Sequence, residues 1–272
     1  MSESEPPPPR VGLPDPSTIL SEFILQPAGS SEVFSPGAPA TTYRVLRTNQ
    51  MDRYDAPPPL AAAALETAAP TAALNTRKLE ETEGHQFRGK ARKAAKISLS
   101  NAPTEVFADL ADLIESLPAE ADMIDHHPPI GRGLTSRRAP EEHRNVRVRT
   151  FLYAASREDD NDFHLIVGRD PNASPLVCMT VELSGTPPVS SRHFAKLKAA
   201  REAFKAFFAA NPGDLPGFRY DFYDPPIPVE VEGSLFFDNK HATGSRPGPD
   251  DLRPFMPVIW EVHPIAKFVL EP

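Results

Sequence analysis

The sequence predicts a mainly β fold with α-helical additions, and two observations predict it. Proline is concentrated near the start of the chain, where twelve of the 33 prolines fall within the first 60 residues. Because proline lacks an amide donor and fixes φ, such a stretch forms neither a long helix nor a central strand. The C-terminal half instead contains short runs in which apolar and polar residues alternate, which is typical of β-strands.

The N-terminal half begins with a tail and continues as a Pro/Ala-rich region with short helices. Residues 1–16 are polar and proline-rich, so we expect a disordered tail. The Pro/Ala-rich, partly helical region spans 17–127. Within it, 19–25 and 43–46 are candidates for short strands, and 103–117 repeats apolar residues at helical spacing.

A linker at 128–145 is predicted before the C-terminal domain, 146–272, because the linker is rich in Gly, Pro and charged residues. The domain's predicted strands, in chain order, are 146–155, 162–170, 175–183, 229–238 and 258–270, with a helix at 191–208 before the fourth strand. Pro264 is expected to bend or break the last strand. Three strands, a helix and two strands is the element order of an OB-fold, so we expect an OB-like five-stranded β-barrel.

Composition favours a cytoplasmic protein of bacterial type and disfavours some partners. Cys178 is the one cysteine, so no intrachain disulfide forms. The start of the chain lacks the apolar core of a secretory signal, and no run approaches 18 apolar residues, so we expect no membrane partner. The formal net charge is −8, and acidic residues are in excess on both sides of Asn145. This charge disfavours nucleic acid as a partner.

The most basic run lies at 84–97 and admits two interpretations. Its cations are Arg88, Lys90, Arg92, Lys93 and Lys96. Such a run either binds anions or nucleic acid, or forms a solvated helix face or linker. Three glutamates just before it offset much of its charge, so the sequence favours the solvated face.

Four side chains are candidate catalytic groups because of their positions along the predicted strands. Successive side chains of a strand point to opposite faces. This alternation places His164 on the second strand, Glu182 on the third, and Glu261 and His263 on the fifth opposite the apolar core set. In an OB barrel the third strand lies between the second and the fifth, so we expect these side chains to converge on one patch.

Asp238 and His241 follow at the end of the fourth strand and are expected to line the rim of this patch. All six residues are candidate metal ligands, because histidines and carboxylates together suit Zn²⁺, Mn²⁺ or Fe²⁺. A carboxylate that orients a histidine also suits general acid–base catalysis. The alternative is an ordinary polar strand face. The chain has no H-E-x-x-H, C-x-x-C, G-x-S-x-G or P-loop motif that would decide between them.

The C-terminal domain resembles a family of uncharacterised bacterial proteins. The resemblance rests on 162–167 (DFHLIV), Glu182, 236–241 (FFDNKH) and 261–264 (EVHP), which match the family's D-x-H-L-V, F-F-D-x-x-H and E-x-H-P motifs. Ala242 stands where the family has glycine, and a valine replaces leucine in the last motif. The resemblance implies the domain boundary and the set of residues rather than an activity.

Three functions are compatible with the sequence. The first is a binding or interaction module for an unknown ligand, joined to another protein through the Pro-rich N-terminal region. The second is a metal-dependent hydrolase, similar to a phosphodiesterase or nuclease, that uses the His/carboxylate patch. The third is a single-stranded nucleic-acid binder, which needs a basic groove with aromatic platforms. Arg147, Arg149, Tyr153 and Arg157 supply a weak version of that groove.

Overall fold

The computed structural model describes residues 11–25, 42–52, 86–209, 215–242 and 246–270. Within these residues the fold is mainly β with few helices, as predicted. The strands are β1 (Ile19–Leu25), β2 (Tyr43–Thr48), β3 (Thr104–Phe107), β4 (Asn145–Arg157), β5 (Phe163–Gly168), β6 (Cys178–Leu183), β7 (Asp221–Phe237) and β8 (Trp260–Leu270). The α-helices are α1 (Lys93–Lys96), α2 (Leu110–Glu115), α3 (Glu120–Ile124) and α4 (Phe194–Phe208). None of these helices is long and apolar enough to cross a membrane.

All the described strands belong to one mixed sheet, in the order β1-β2-β7-β8-β6-β5-β4-β3, with a further pairing between β7 and β4. The pairs β3–β4 and β6–β8 are parallel, and the other pairs are antiparallel. Strand pairing therefore runs from β4 through β5, β6, β8 and β7 back to β4. Strands β1 and β2 extend the sheet at β7, and β3 extends it at β4.

The sheet has more strands than the predicted five because β7 is long. Its C-terminal part pairs with β8 from Val229 onward, whereas its first residues, 221–224, pair with β2 on that side. Unpaired backbone groups at a strand edge are satisfied by pairing with another strand, and β2 is that strand here.

The segment 103–117, predicted to be one helix, instead forms β3 and then α2, because Asp109 caps the helix by accepting from Ala111 N at 2.8 Å.

The predicted linker, 128–145, is packed against the sheet in the structure. Arg138 is 8% exposed and donates hydrogen bonds to the carbonyl oxygens of Ala95, Leu235 and His263. A guanidinium has five donors in a fixed planar arrangement, so this one side chain binds three backbone segments at once. Glu142 in the same segment is fully buried. Residues 1–10 of the predicted tail and 53–85 of the Pro/Ala-rich region lie outside the described residues.

Every residue of β5 and β6 is buried. On one face, α4 packs Phe204 against Phe163 of β5 and Phe268 of β8, with ring centroids 4.9 and 5.7 Å apart. The other face carries the polar side chains of these strands and is also covered. An ordinary polar strand face would be solvated, so the burial of these polar groups requires a different explanation.

Gly233 lies at an irregularity in the β7–β8 register, close to the position where a bend was expected at Pro264. A Cβ atom at residue 233 would lie 2.4 Å from the carbonyl oxygen of Pro264. We therefore expect Gly233→Ala to lower the free energy of unfolding by about 1–3 kcal/mol, the usual cost of forcing extra atoms into a packed site. Urea denaturation measures this change.

Gly217→Ala is the matched control, because a Cβ at residue 217 would meet nothing within 4 Å. Its effect should stay within about 0.5 kcal/mol. Equal stability of the two variants would contradict the proposed close approach of β7 and β8.

Candidate metal centre

The structure brings the four predicted catalytic candidates together. His164, Glu182, Glu261 and His263 are between 0 and 2% exposed. His164 pairs with Glu182 across β5 and β6, and Glu261 pairs with Thr180 across β8 and β6. His263 Nδ1 lies 2.5 Å from Glu182 Oε2 and 3.4 Å from Glu261 Oε2. Strand alternation and strand order thus place these side chains where the prediction put them.

Several buried atoms at this point have no hydrogen-bond partner. They are Asp162 Oδ2, Glu182 Oε2, Glu261 Oε2 and His263 Nδ1. The contact of 2.5 Å between His263 Nδ1 and Glu182 Oε2 is short, but it lacks hydrogen-bond geometry. Native proteins rarely leave buried polar atoms unpaired, and a bound ion is one of the explanations for such atoms. These atoms are all ligand types for a divalent transition metal.

The hydrogen bonds around His263 determine which ring nitrogen has a free lone pair. Ser184 Oγ donates to the carbonyl oxygen of Lys96 at 2.8 Å, so it accepts from His263 Nε2, which lies 2.8 Å away. Without a metal, although burial opposes this rise, the charge of Glu182 raises the pKa of His263 well above its usual value. With a metal bound, the neutral ring would keep its proton on Nε2 and direct the Nδ1 lone pair towards Glu182. A histidine that binds a metal donates its other N–H in this way. A ligand atom from each of Asp162, Glu182 and His263 lies within 4.8 Å of the others.

Two further groups of ligand atoms surround this one. Asp238 and His241 form a group with Glu261, again within 4.8 Å. His164 forms the other group with Glu158 and Glu182. In that group both ring nitrogens of His164 are already engaged, Nδ1 with Glu158 Oε1 at 2.7 Å and Nε2 with the Thr180 hydroxyl at 3.2 Å.

The cluster contains more negative groups than positive ones. The lysine of the cluster is Lys96, and its Nζ lies 3.8 Å from both Glu182 Oε2 and Asp160 Oδ2. Together with the three histidines it provides at most four positive charges. The carboxylates of the cluster among the described residues number seven: Asp52, Glu158, Asp160, Asp162, Glu182, Asp238 and Glu261. Buried charge needs compensation, and full ionisation of the seven carboxylates would leave an excess of negative charge.

The pKa values within the cluster show the effect of this excess. Burial, and then the charge of Asp162, raises the pKa of Asp160 to about 7. Burial, and then the charge of Glu182, raises the pKa of Glu261 to about 7. Burial by itself would lower the pKa of His164, but its hydrogen bond to Glu158 and the neighbouring carboxylates raise that pKa to about 10. Although burial opposes it, the charges of His263 and Lys96 lower the pKa of Glu182 well below its usual value. The ionised Glu182 then makes ionisation of its neighbouring carboxylates less favourable.

A cleft of about 350 Å³ connects the cluster to solvent. Its acidic and histidine lining consists of Glu158, Asp159, Asp160, Glu182, Asp238 and His241. Its cationic lining consists of Lys90, Arg92, Lys96, Arg132 and Lys240. Lys90, Arg132 and Lys240 are exposed, whereas Arg92 is buried and bound to Glu142. The cleft therefore combines candidate metal ligands with exposed cations.

Several residues of the cluster were missed by sequence reasoning. Glu158 and Asp160 lie between the first two predicted strands of the C-terminal domain, and their position just before the D-x-H motif is the signal that indicates them. Lys96 and Arg92 belong to the basic run, for which a solvated face was favoured. That preference is wrong for these two, since Arg92 is 1% exposed and the Lys96 side chain is 14% exposed. No sequence pattern indicates that Asp52 belongs to the cluster, because it accepts a hydrogen bond from the backbone N–H of Gly248, which is distant in the chain.

The fold and the cluster define a mainly β protein with a candidate metal centre beneath a cleft. No family model, curated protein or solved structure matches the chain. The resemblance to uncharacterised bacterial proteins therefore stays a prediction.

Proposed function

We propose that the protein is a metal-dependent hydrolase that acts on phosphate esters. The observation that carries this proposal is the set of buried ligand atoms without hydrogen bonds at Asp162, Glu182 and His263. Nitrogen and carboxylate ligands together suit Zn²⁺, Mn²⁺ or Fe²⁺. Buried ligand atoms without hydrogen bonds are costly unless a bound group satisfies them.

A divalent ion at this position would activate a water molecule and polarise a substrate oxygen. In the hydrolysis the water oxygen forms a bond to phosphorus, the ester P–O bond breaks, and the leaving alcohol takes up a proton. Exposed Lys90, Arg132 and Lys240 at the cleft would bind the remaining phosphate oxygens, since cations at such positions favour anionic substrates. This combination supports a phosphate ester over a neutral substrate.

We also propose that the cyclic strand pairing is an OB-like five-stranded barrel. The order β4, β5, β6, α4, β7, β8 supports this proposal, as does the parallel pairing of β6 with β8. In such a barrel the polar faces of β5, β6 and β8 would bring their ligand atoms together from three neighbouring strands.

The other two functions have less support in the structure. The Pro-rich segments that would bind another protein lie largely outside the described residues. For a nucleic-acid groove, Arg147 and Arg149 are paired with Glu232 and Glu230, and Tyr153 is buried. Stacking platforms must be accessible to bases, so this part of β4 offers no such platform.

Hydrolysis of chromogenic phosphate monoesters and diesters by the full chain, supplied in turn with Zn²⁺, Mn²⁺ and Mg²⁺, tests the proposal. We expect metal-dependent activity that His263→Ala and Glu182→Gln reduce by more than the roughly 10- to 100-fold typical for residues that only orient a ligand. Glu230→Gln is the control, because Glu230 pairs with the exposed Lys267 and should leave the rate unchanged. Absence of hydrolysis by metal-loaded protein, or full activity in both site variants, would exclude this function.

A further inference from the structure

We infer that the centre holds two divalent ions, the second bound by Asp238, His241 and Glu261 at the floor of the cleft. This inference rests on the proposed function for the first ion, at Asp162, Glu182 and His263. The two ligand groups share no residue, and each brings three ligand atoms to within 4.8 Å of one another. Each group is therefore a complete three-residue site of the kind that protein metal centres use.

Glu261 provides an independent indication of the second ion. It is 1% exposed, and its Oε2 has no hydrogen-bond partner. The same oxygen lies 3.4 Å from His263 Nδ1, the ring nitrogen assigned to the first site. A carboxylate between two ligand groups in this way can contact both ions, as the bridging carboxylates of two-metal centres do.

The other two residues of the second group are held in orientations suitable for ligands. Asp238 Oδ1 accepts from the backbone N–H of Lys240 at 3.0 Å, and Oδ2 accepts from His241 Nδ1 in a hydrogen bond that a bound ion would replace. His241 Nε2 lies 3.6 Å from Asp52 Oδ1, and Asp52 is itself held by Gly248 N at 2.8 Å. A histidine with a carboxylate on its second nitrogen is the arrangement that orients metal ligands.

The two sites differ in their access to solvent. Asp238 and His241 line the cleft, whereas Asp162 and His263 lie behind its surface and only Glu182 of the first group reaches it. The second ion would therefore face the substrate. A pair of ions clamps the attacking and the leaving oxygen of a phosphate ester during in-line displacement. Two divalent ions would also offset the excess of carboxylates, which one ion leaves in part uncompensated.

The third group, Glu158, His164 and Glu182, is not assigned an ion. Its Glu182 also belongs to the first site. Of the buried atoms without a hydrogen bond, Asp162 Oδ2, Glu182 Oε2 and His263 Nδ1 belong to the first site and Glu261 Oε2 belongs to the second, whereas the third group adds none beyond Glu182 Oε2.

Native mass spectrometry of the full chain titrated with Mn²⁺ tests the inference, together with electron paramagnetic resonance of the same samples. We expect two Mn²⁺ per chain in the unmodified protein and a spectrum with exchange coupling between the ions. Asp238→Asn should retain one Mn²⁺ and lose the coupling. Asp170→Asn, at an exposed turn, is the control and should retain both ions.

The possible outcomes separate this inference from the proposed function. One ion per chain in the unmodified protein, with no coupled spectrum, would overturn the second site and leave a single-metal hydrolase possible. Binding of no ion would overturn both. Because stoichiometry and coupling are measured on the unmodified protein, the test does not depend on how well Asp238→Asn folds.

Discussion

Glu142→Gln is expected to lower the free energy of unfolding by about 3–5 kcal/mol, the usual cost of removing one partner of a buried ion pair. Glu142 and Arg92 have side chains 0 and 2% exposed and form two parallel hydrogen bonds of 2.6 and 2.7 Å. Glu142 also accepts from Phe237 N at 2.8 Å. The glutamine keeps the size of the side chain but leaves the Arg92 charge buried without its counter-charge. Urea denaturation of both proteins measures the difference.

Glu105→Gln is the matched control for this experiment. Glu105 also binds an arginine, Arg144, through two hydrogen bonds of 2.6 and 2.8 Å, but its side chain is 42% exposed. Pairs in contact with solvent contribute between about 0 and 1 kcal/mol, so this variant should be almost as stable as the unmodified protein. If both variants lose the same stability, burial is not the reason for the importance of the Arg92–Glu142 pair.

Metal is expected to stabilise the protein strongly. At a free Mn²⁺ or Zn²⁺ concentration about 1,000 times the dissociation constant, the free energy of unfolding should rise by about 4 kcal/mol. The physical reason is that the folded state holds converging ligand atoms and an excess of carboxylates, whereas the unfolded chain does not. Urea denaturation with and without metal, after treatment with a chelator, measures the gain.

Glu182→Gln should lose most of this gain, because Glu182 supplies an unpaired ligand atom beside His263. Asp170→Asn is the control and should keep the gain in full. The opposite result would be a protein that metal does not stabilise and that Glu182→Gln weakens without any metal present. In that case the cluster would be a structural network of charges.

Much of the candidate site follows from the alternation of side chains along three strands. This alternation, together with the expected neighbours of the third strand, predicts that His164, Glu182 and His263 lie on one patch. The register of β5, β6 and β8 has this arrangement. The alternation is informative here because each strand has a set of apolar side chains that must face the core, and a shift of one residue would expose that set. The two register shifts opposite Gly233 add residues to β8, between Val262 and Lys267, yet Glu261 and His263 both remain beside Glu182 or in contact with each other.

Residues that act across long sequence separations were not predictable in the same way. Arg138 was assigned to a linker, although its guanidinium binds carbonyl oxygens of α1, β7 and β8. Asp52 contacts His241, which lies 189 residues later in the chain. Such contacts depend on which segments meet in space, and local patterns of apolar residues contain no information on that.

The sequence by itself determined the mainly β class, the strands that carry the candidate ligands and the faces on which those ligands lie. These features depend on local periodicity, and the side chains of a strand alternate with a period of two residues. Only the tertiary structure decided that β1, β2 and β3 join the same sheet, that the polar face is buried, and that its carboxylates outnumber its cations. The physical reason is that burial and net charge belong to an assembled interior, where the desolvation of each group depends on all of its neighbours.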